Sequence, residues 1–233
     1  MASNSPYEIE TAAHLKALAD CVNAGNCATK DVYYKLMNDI DLSGYASGDG
    51  WKPIGKIQGN FDGNSKIIKN LTINRPSQNS IGLFGGTNNA TIQNLGLENC
   101  NIVGGDNVGA LVGHSFLDTK INNCYATGTV NGRDDVGGLA GMCEISSFFE
   151  NCYTTGTVNG RDYVGGLVGG NLMSNVNNVI YSIKNCHSLA DVSGTGRWVG
   201  GLMGFTNSCS IYDSYAKGKV SGSGSHTDDA NTT

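Results

Sequence analysis

Five near-copies of one short stretch constrain this chain more than anything else in it. They are Ile81-Gly-Leu-Phe-Gly85, Val108-Gly-Ala-Leu-Val-Gly113, Val136-Gly-Gly-Leu-Ala-Gly141, Val164-Gly-Gly-Leu-Val-Gly169 and Val199-Gly-Gly-Leu-Met-Gly204. Leu83, Leu111, Leu139 and Leu167 follow one another at steps of 28 residues, and Leu202 comes after a step of 35. A fixed period of this size means stacked repeats, each too small to bury its own apolar face. One copy alone would read as a glycine loop for a phosphate. Five copies, with no phosphate-binding Lys after them, remove that reading. The leucine is expected to fill an interior, and the glycines to let the backbone turn around it.

Two more elements recur in step. Ile68-Lys-Asn70-Leu71, Ile92-Gln-Asn94-Leu95, Ile121-Asn-Asn123-Cys124, Phe149-Glu-Asn151-Cys152 and Ile183-Lys-Asn185-Cys186 are followed by a worn copy, Ile211-Tyr-Asp213-Ser214. Asn tolerates the left-handed backbone of a corner, and its amide can bond to its copy one rung away. The third element places Val130, Val158, Val192 and Val220 in one inward column. Short strands separated by Gly or Asn corners predict an all-β chain: a right-handed parallel β-helix of about six three-sided coils. With 34 Gly, 3 Pro and only 15% charged residues, the composition suits tight turns and excludes a helical bundle.

Residues 6–24 carry the one helical pattern, with Thr11 as its cap, Leu15, Leu18, Ala19 and Val22 as its stripe and Gly25 at its end. The predicted organisation is a capping segment at 1–30 with this helix, the β-helix at 31–222, and a disordered linker or tail at 223–233. Within the β-helix, Tyr34, Leu36, Ile40 and Leu42 alternate as a first coil. The long step before Leu202 places an insertion at 171–181, expected to be a surface loop. The low-complexity end reads as part of something longer.

A net charge of −5 without Lys/Arg clusters excludes a nucleic-acid partner. No apolar run reaches the roughly 18 residues of a membrane span. Of 8 cysteines, Cys124, Cys152 and Cys186 share one repeat position and read as stacked, reduced, inward thiols. Cys21 and Cys27 can bridge in an oxidising compartment. Cys100, Cys143 and Cys209 fall between the recurring elements, in predicted loops.

The succession Val-Gly-Gly-Leu-x-Gly, Ile-x-Asn-Cys-Tyr and Thr-Gly-Thr-Val-Asn-Gly resembles the Gly-Leu-any-Gly (GLUG) repeat proteins, over roughly 7–222. The segments Asn38-Asp-Ile-Asp-Leu42, Trp51-Lys-Pro-Ile-Gly55 and Phe61-Asp-Gly-Asn64 look like the lead-in to such repeats. Phe84 and Asp213-Ser214 depart from the pattern in the outer repeats. The resemblance implies an extracellular or bacterial cell-surface protein, an adhesin or the region preceding the peptidase domain of an immunoglobulin-A-cleaving metallopeptidase. The chain contains no His-Glu-x-x-His, so peptidase chemistry would lie outside it.

Convergent catalytic groups are not visible. His14, His114, His187 and His226 share no repeat column, so no zinc set and no cofactor is expected. The informative positions precede the glycine–leucine element. Gly105-Asp106-Asn107, Arg133-Asp134-Asp135, Arg161-Asp162-Tyr163 and Gly196-Arg197-Trp198 align as a ridge. The ridge residues Arg133, Asp134, Asp135, Arg161, Asp162, Tyr163, Arg197 and Trp198 form the candidate ligand site, for a host glycan or a host or bacterial surface protein. Alternatives are Ca²⁺ held by the carboxylates, an acidic groove like that of β-helical polysaccharide lyases, and plain charge balance between rungs. The pairs Thr127/Thr129 and Thr155/Thr157 span too few rungs for an ice-binding plane. End-to-end contact through the last coil is a further expectation.

Overall fold

The computed structural model describes residues 5–172 and 181–223. It is a parallel β-helix. Along one wall the strands run in the spatial order Tyr7–Ile9, Tyr33–Leu36, Asn60–Lys69, Thr91–Val103, Lys120–Asn131, Phe148–Glu150, Ser182–Lys184 and Ser210–Tyr212. The last seven of these each open one coil, at 33–57, 60–87, 91–115, 120–144, 148–172, 182–206 and 210–222, the seventh being partial. The stack thus has the expected six or so coils. A coil has more strand segments than the three expected: the fifth has Phe148–Glu150, Tyr153–Gly160, Asp162–Gly165 and Val168–Leu172. The fourth arises because the glycine–leucine stretch is an arch between two strands rather than one wall.

The interior is built from identical columns. Leu83, Leu111, Leu139 and Leu167 are fully buried and Leu202 is 4% exposed, and the N–H of each of the first four donates to the next coil (Leu139 N to Leu167 O, 2.9 Å). Ile92, Ile121, Phe149 and Ile183 stack beside Leu95, Cys124, Cys152 and Cys186, all buried. The three thiols are free, and burial pushes the Cys124 thiol up to about 12, so it behaves as a small hydrophobe. Where the column loses its cysteine, the Ser214 hydroxyl accepts from Cys186 N at 3.0 Å and donates to Tyr212 O.

The asparagine corner is a ladder. Asn94, Asn123, Asn151 and Asn185 have φ between 50° and 54°, and each amide donates to the side chain one coil earlier: Asn123 to Asn94 (3.0 Å), Asn151 to Asn123 (2.9 Å), Asn185 to Asn151 (2.6 Å). Below Asn94 the acceptor is Asp62, at 3.1 Å. Asn70 does not belong to this column. It sits between Asp41 and Asn99, at 2.9 and 2.6 Å, because Gly63–Ser65 bulge and shift the register of the second coil.

Other expectations are corrected locally. The helix runs only from Ala12 to Asn23. Thr11 Oγ1 accepts from His14 N at 3.2 Å, and Gly25 has φ +71°. The residues before it form the strand Tyr7–Ile9, which pairs with Tyr34–Leu36. The N-terminal end is therefore covered twice, by this strand on one wall and by the helix on another, with Leu15, Leu18 and Ala19 buried. Cys21 and Cys27 form a disulfide, Cα atoms 5.3 Å apart. Cys100 and Cys143 lie in strands and are buried, not in loops, and Cys209 is half-buried beside the last coil. Of the predicted insertion, Asn171 and Tyr181 are buried. Residues 173–180 and the predicted tail, from 224 onwards, lie outside the described residues.

Candidate functional site

The ridge forms where each coil turns into its glycine–leucine arch. Ser80, Asn107, Asp135, Tyr163 and Trp198 occupy one corner column, all left-handed, with φ between 56° and 60°. Small polar residues adopt this conformation at little cost. A bulky ring there is an outlier of the kind that accompanies function. The column is pinned by backbone bonds from each corner to the next, such as Tyr163 N to Arg197 O at 3.0 Å.

Next to it runs an ionic ladder. The Arg133 guanidinium grips Asp106 with two bonds, Nε to Oδ1 at 2.7 Å and Nη2 to Oδ2, and Arg161 grips Asp134 in the same way, Nε at 2.9 Å. Arg161 Nε also lies 3.3 Å from Asp162. Two of the carboxylates also accept a backbone N–H of the next coil: Asp134 from Asp162 N at 3.3 Å, and Asp162 from Arg197 N at 2.6 Å. Both arginines are surface groups, so each pair between coils adds little by itself; bidentate geometry fixes the corner's position.

At the last two corners the ladder gives way to rings. Tyr163 and Trp198 are stacked at 4.6 Å and 13°. Phe205 meets both edge-on, at 5.5 and 5.3 Å, and the Arg197 guanidinium lies 4.9 Å from the Trp198 ring centre. All three rings are partly exposed. Phe205 had no place in the sequence reading of the ridge. It arrives from the far side of the arch, in the column it shares with Met142 and Gly170.

Asp135, one coil below Tyr163, turns inward. It is 9% exposed, and its Oδ1 has no hydrogen-bond partner among the described residues. The carboxyl lies over Gly170, so close that a β-carbon there would come within 2.5 Å of Oδ1. Burial, then the charges of Asp134, Asp106 and Asp162, push its pKa up to about 7. The structure thus brings Tyr163, Trp198, Arg197 and Asp135 to one place with Phe205, while Arg133, Asp134, Arg161 and Asp162 engage one another. Among the described residues no group of three or more His, Cys, Asp or Glu could hold a metal.

A second outward stack, also unforeseen, joins Tyr125, Tyr153, His187 and Tyr215 at 4.8, 5.1 and 5.1 Å, with Tyr125 donating to Glu98. Its signal was the aromatic residue that follows each Asn-Cys pair and its worn copy Asp213-Ser214.

The model of the GLUG motif matches residues 104–131, one full period from the corner glycine to the end of the third element. The chain carries the GLUG motif. It is 36% identical over 141 residues to halomucin of Haloquadratum walsbyi, a match covering 56% of this chain and 2% of that protein. It is 40% identical over 100 residues to a candidate Gly-rich membrane protein of Evansella cellulosilytica, covering 40% of this chain and 11% of the relative. The chain thus spans a small part of these curated relatives. Among solved structures, it superposes on a candidate immunoglobulin A1 protease from Bacteroides ovatus with a TM-score of 0.71 at 27% identity, over 92% of this chain and 66% of that one. The GLUG motif thus lies within a parallel β-solenoid whose fold is similar to that solved structure.

Proposed function

We propose that this is a non-enzymatic recognition module of an extracellular or bacterial cell-surface protein, and that Tyr163, Trp198, Phe205 and Arg197 bind a glycan. One observation carries the reading. Two large aromatic residues hold left-handed corners that the same column elsewhere assigns to Ser, Asn and Asp, and their rings meet Phe205 at the surface. Left-handed backbone costs an ordinary side chain roughly 1–2 kcal/mol, a cost that Asn and Asp at the other corners bear more easily. Rings offer apolar faces and edges to sugar C–H groups, and Arg197 offers donors to hydroxyls. The Cys21–Cys27 disulfide and the membrane protein among the relatives support an extracytoplasmic setting. The likeness to a candidate immunoglobulin A1 protease supports a place beside a catalytic domain, as an accessory or stalk region.

The test is a glycan array with the wild type and the Tyr163→Asn/Trp198→Asn variant, which keeps a side chain suited to the corner. Binding by the wild type that the variant loses, with its folding stability within about 1 kcal/mol, is the expected result. Unchanged binding by the variant would move recognition elsewhere, and no binding by the wild type would leave a passive spacer. Polysaccharide cleavage that depends on Asp134 or Asp162 would overturn the non-enzymatic reading.

A further inference from the structure

The Asp135 carboxyl is the one member of the ridge that nothing engages. Among Asp106, Asp134, Asp135 and Asp162, the first two are gripped by arginines and Asp162 accepts the Arg197 backbone N–H. The Asp135 carboxyl accepts no hydrogen bond among the described residues, though the residue is nine-tenths buried. Against these four carboxylates stand three guanidiniums, Arg133, Arg161 and Arg197, which leaves one carboxylate in excess. A buried carboxyl without a donor is a costly arrangement that a fold retains for a reason. Asn at the same corner, as at Asn107, would avoid it.

The surroundings indicate what would fit. The column beside the corner runs Met142, Gly170, Phe205, with Met142 buried and Phe205 partly exposed. The Asp135 carboxyl occupies the space a Gly170 side chain would take, its Oδ1 2.5 Å and its Cγ 3.7 Å from where a β-carbon would be, and the Tyr163 β-carbon lies 3.6 Å from the same point. The carboxyl is therefore an acceptor set beside Tyr163, whose ring meets that of Phe205 edge-on at 5.5 Å at the partly exposed corner. An acceptor-only group next to aromatic rings matches a cationic donor on an apolar frame.

We infer that Asp135 receives a primary amine of the ligand, so that the glycan class bound at the Tyr163–Trp198–Phe205 corner is one bearing free amino groups. This rests on the recognition reading above and names its ligand class. The amine donates to the Asp135 carboxylate, and the sugar frame packs on the Phe205 and Tyr163 rings. At neutral pH the amine and the carboxyl together hold one proton, which the ligand site shares between them.

The test compares oligomers of glucosamine with the same oligomers fully N-acetylated, by calorimetric titration at neutral pH, on the wild type and on Asp135→Asn. Acetylation removes the basic amine and keeps the sugar frame. The wild type is expected to bind the free-amine oligomer about tenfold or more tighter, the worth of a charge-assisted bond. Asp135→Asn should bring the two affinities together while still binding both. Equal wild-type affinities, or a preference that survives Asp135→Asn, would overturn the assignment of Asp135 and leave the aromatic corner standing. Failure of the wild type to bind either oligomer while retaining other glycans on the array would overturn the amine assignment alone. Failure on every glycan would overturn both readings.

Discussion

At the scale of single residues, the molecule separates positions that fill space from positions that carry a cost. Leu167 belongs to the first kind: it is fully buried in the middle of a five-leucine stack, with neighbours above and below held by backbone bonds. Leu167→Ala should lower the unfolding free energy by about 2–5 kcal/mol in urea denaturation, since the rigid coils cannot collapse onto the void. Asp135 belongs to the second kind. Its unfolded carboxyl ionises near the ordinary 3.8 and its folded one near about 7, so the folded state holds an extra proton between those values. Its contribution to stability is full below the lower value and is lost as pH rises through the upper one. Asp135→Asn should remove that loss. The variant gains stability over the wild type at about pH 8, by as much as about 4 kcal/mol, and little or none near pH 4. A wild-type denaturation midpoint that does not fall relative to the variant across this range would disprove the buried, donor-free carboxyl.

At the scale of elements, the glycine–leucine arch decides the architecture of the corner. Its two strands, such as Asp134–Gly137 and Ala140–Glu144, fold back so closely that a later coil's backbone touches an earlier coil's corner. A β-carbon on Gly169 would lie 2.5 Å from both Asp135 C and Val136 N. Backbone cannot rotate away, so Gly169→Ala should destabilise the fold by about 1–3 kcal/mol or more. At Gly170, the next residue, a β-carbon would clash with the Asp135 carboxyl alone, which can turn aside, so thermal denaturation should show a smaller loss for Gly170→Ala. The recurring elements told where strands and corners lie because a side chain repeated every 28 residues must fall on its own copy one rung away. They were misleading where the repeat was perturbed. Asn70 looks like a member of the Asn94 column in sequence, but the extra residues Gly63–Ser65 carry it to the next corner. The short strand Tyr7–Ile9 was unreadable for another reason: three residues have no period, and only pairing to Tyr34–Leu36 makes them a strand.

For the whole molecule, stability runs in one dimension, since each coil contacts mainly its neighbours. The end coils have one neighbour fewer. Amide hydrogen exchange should therefore be slowest in the coils at 91–172. It should be fastest in the strands Ser210–Tyr212 and Tyr215–Ala216, where Tyr212 and Tyr215 are 56% and 43% exposed. Uniform protection along the stack would mean a single cooperative unit instead. The period of the amino-acid sequence was enough to determine the stacked parallel coils, the leucine, valine and thiol columns, and the alignment of the ridge, because translation by one repeat is a local property of the chain. What only the tertiary structure decided is how the ridge is used. Arg133 and Arg161 are committed to the carboxylates of the preceding coil, Phe205 reaches Tyr163 from the other side of an arch, and Asp135 is drawn over Gly170. These are contacts between neighbouring coils, the last two between different sides of the arch. They depend on how tightly the arch closes, a distance in space that no spacing along the chain expresses.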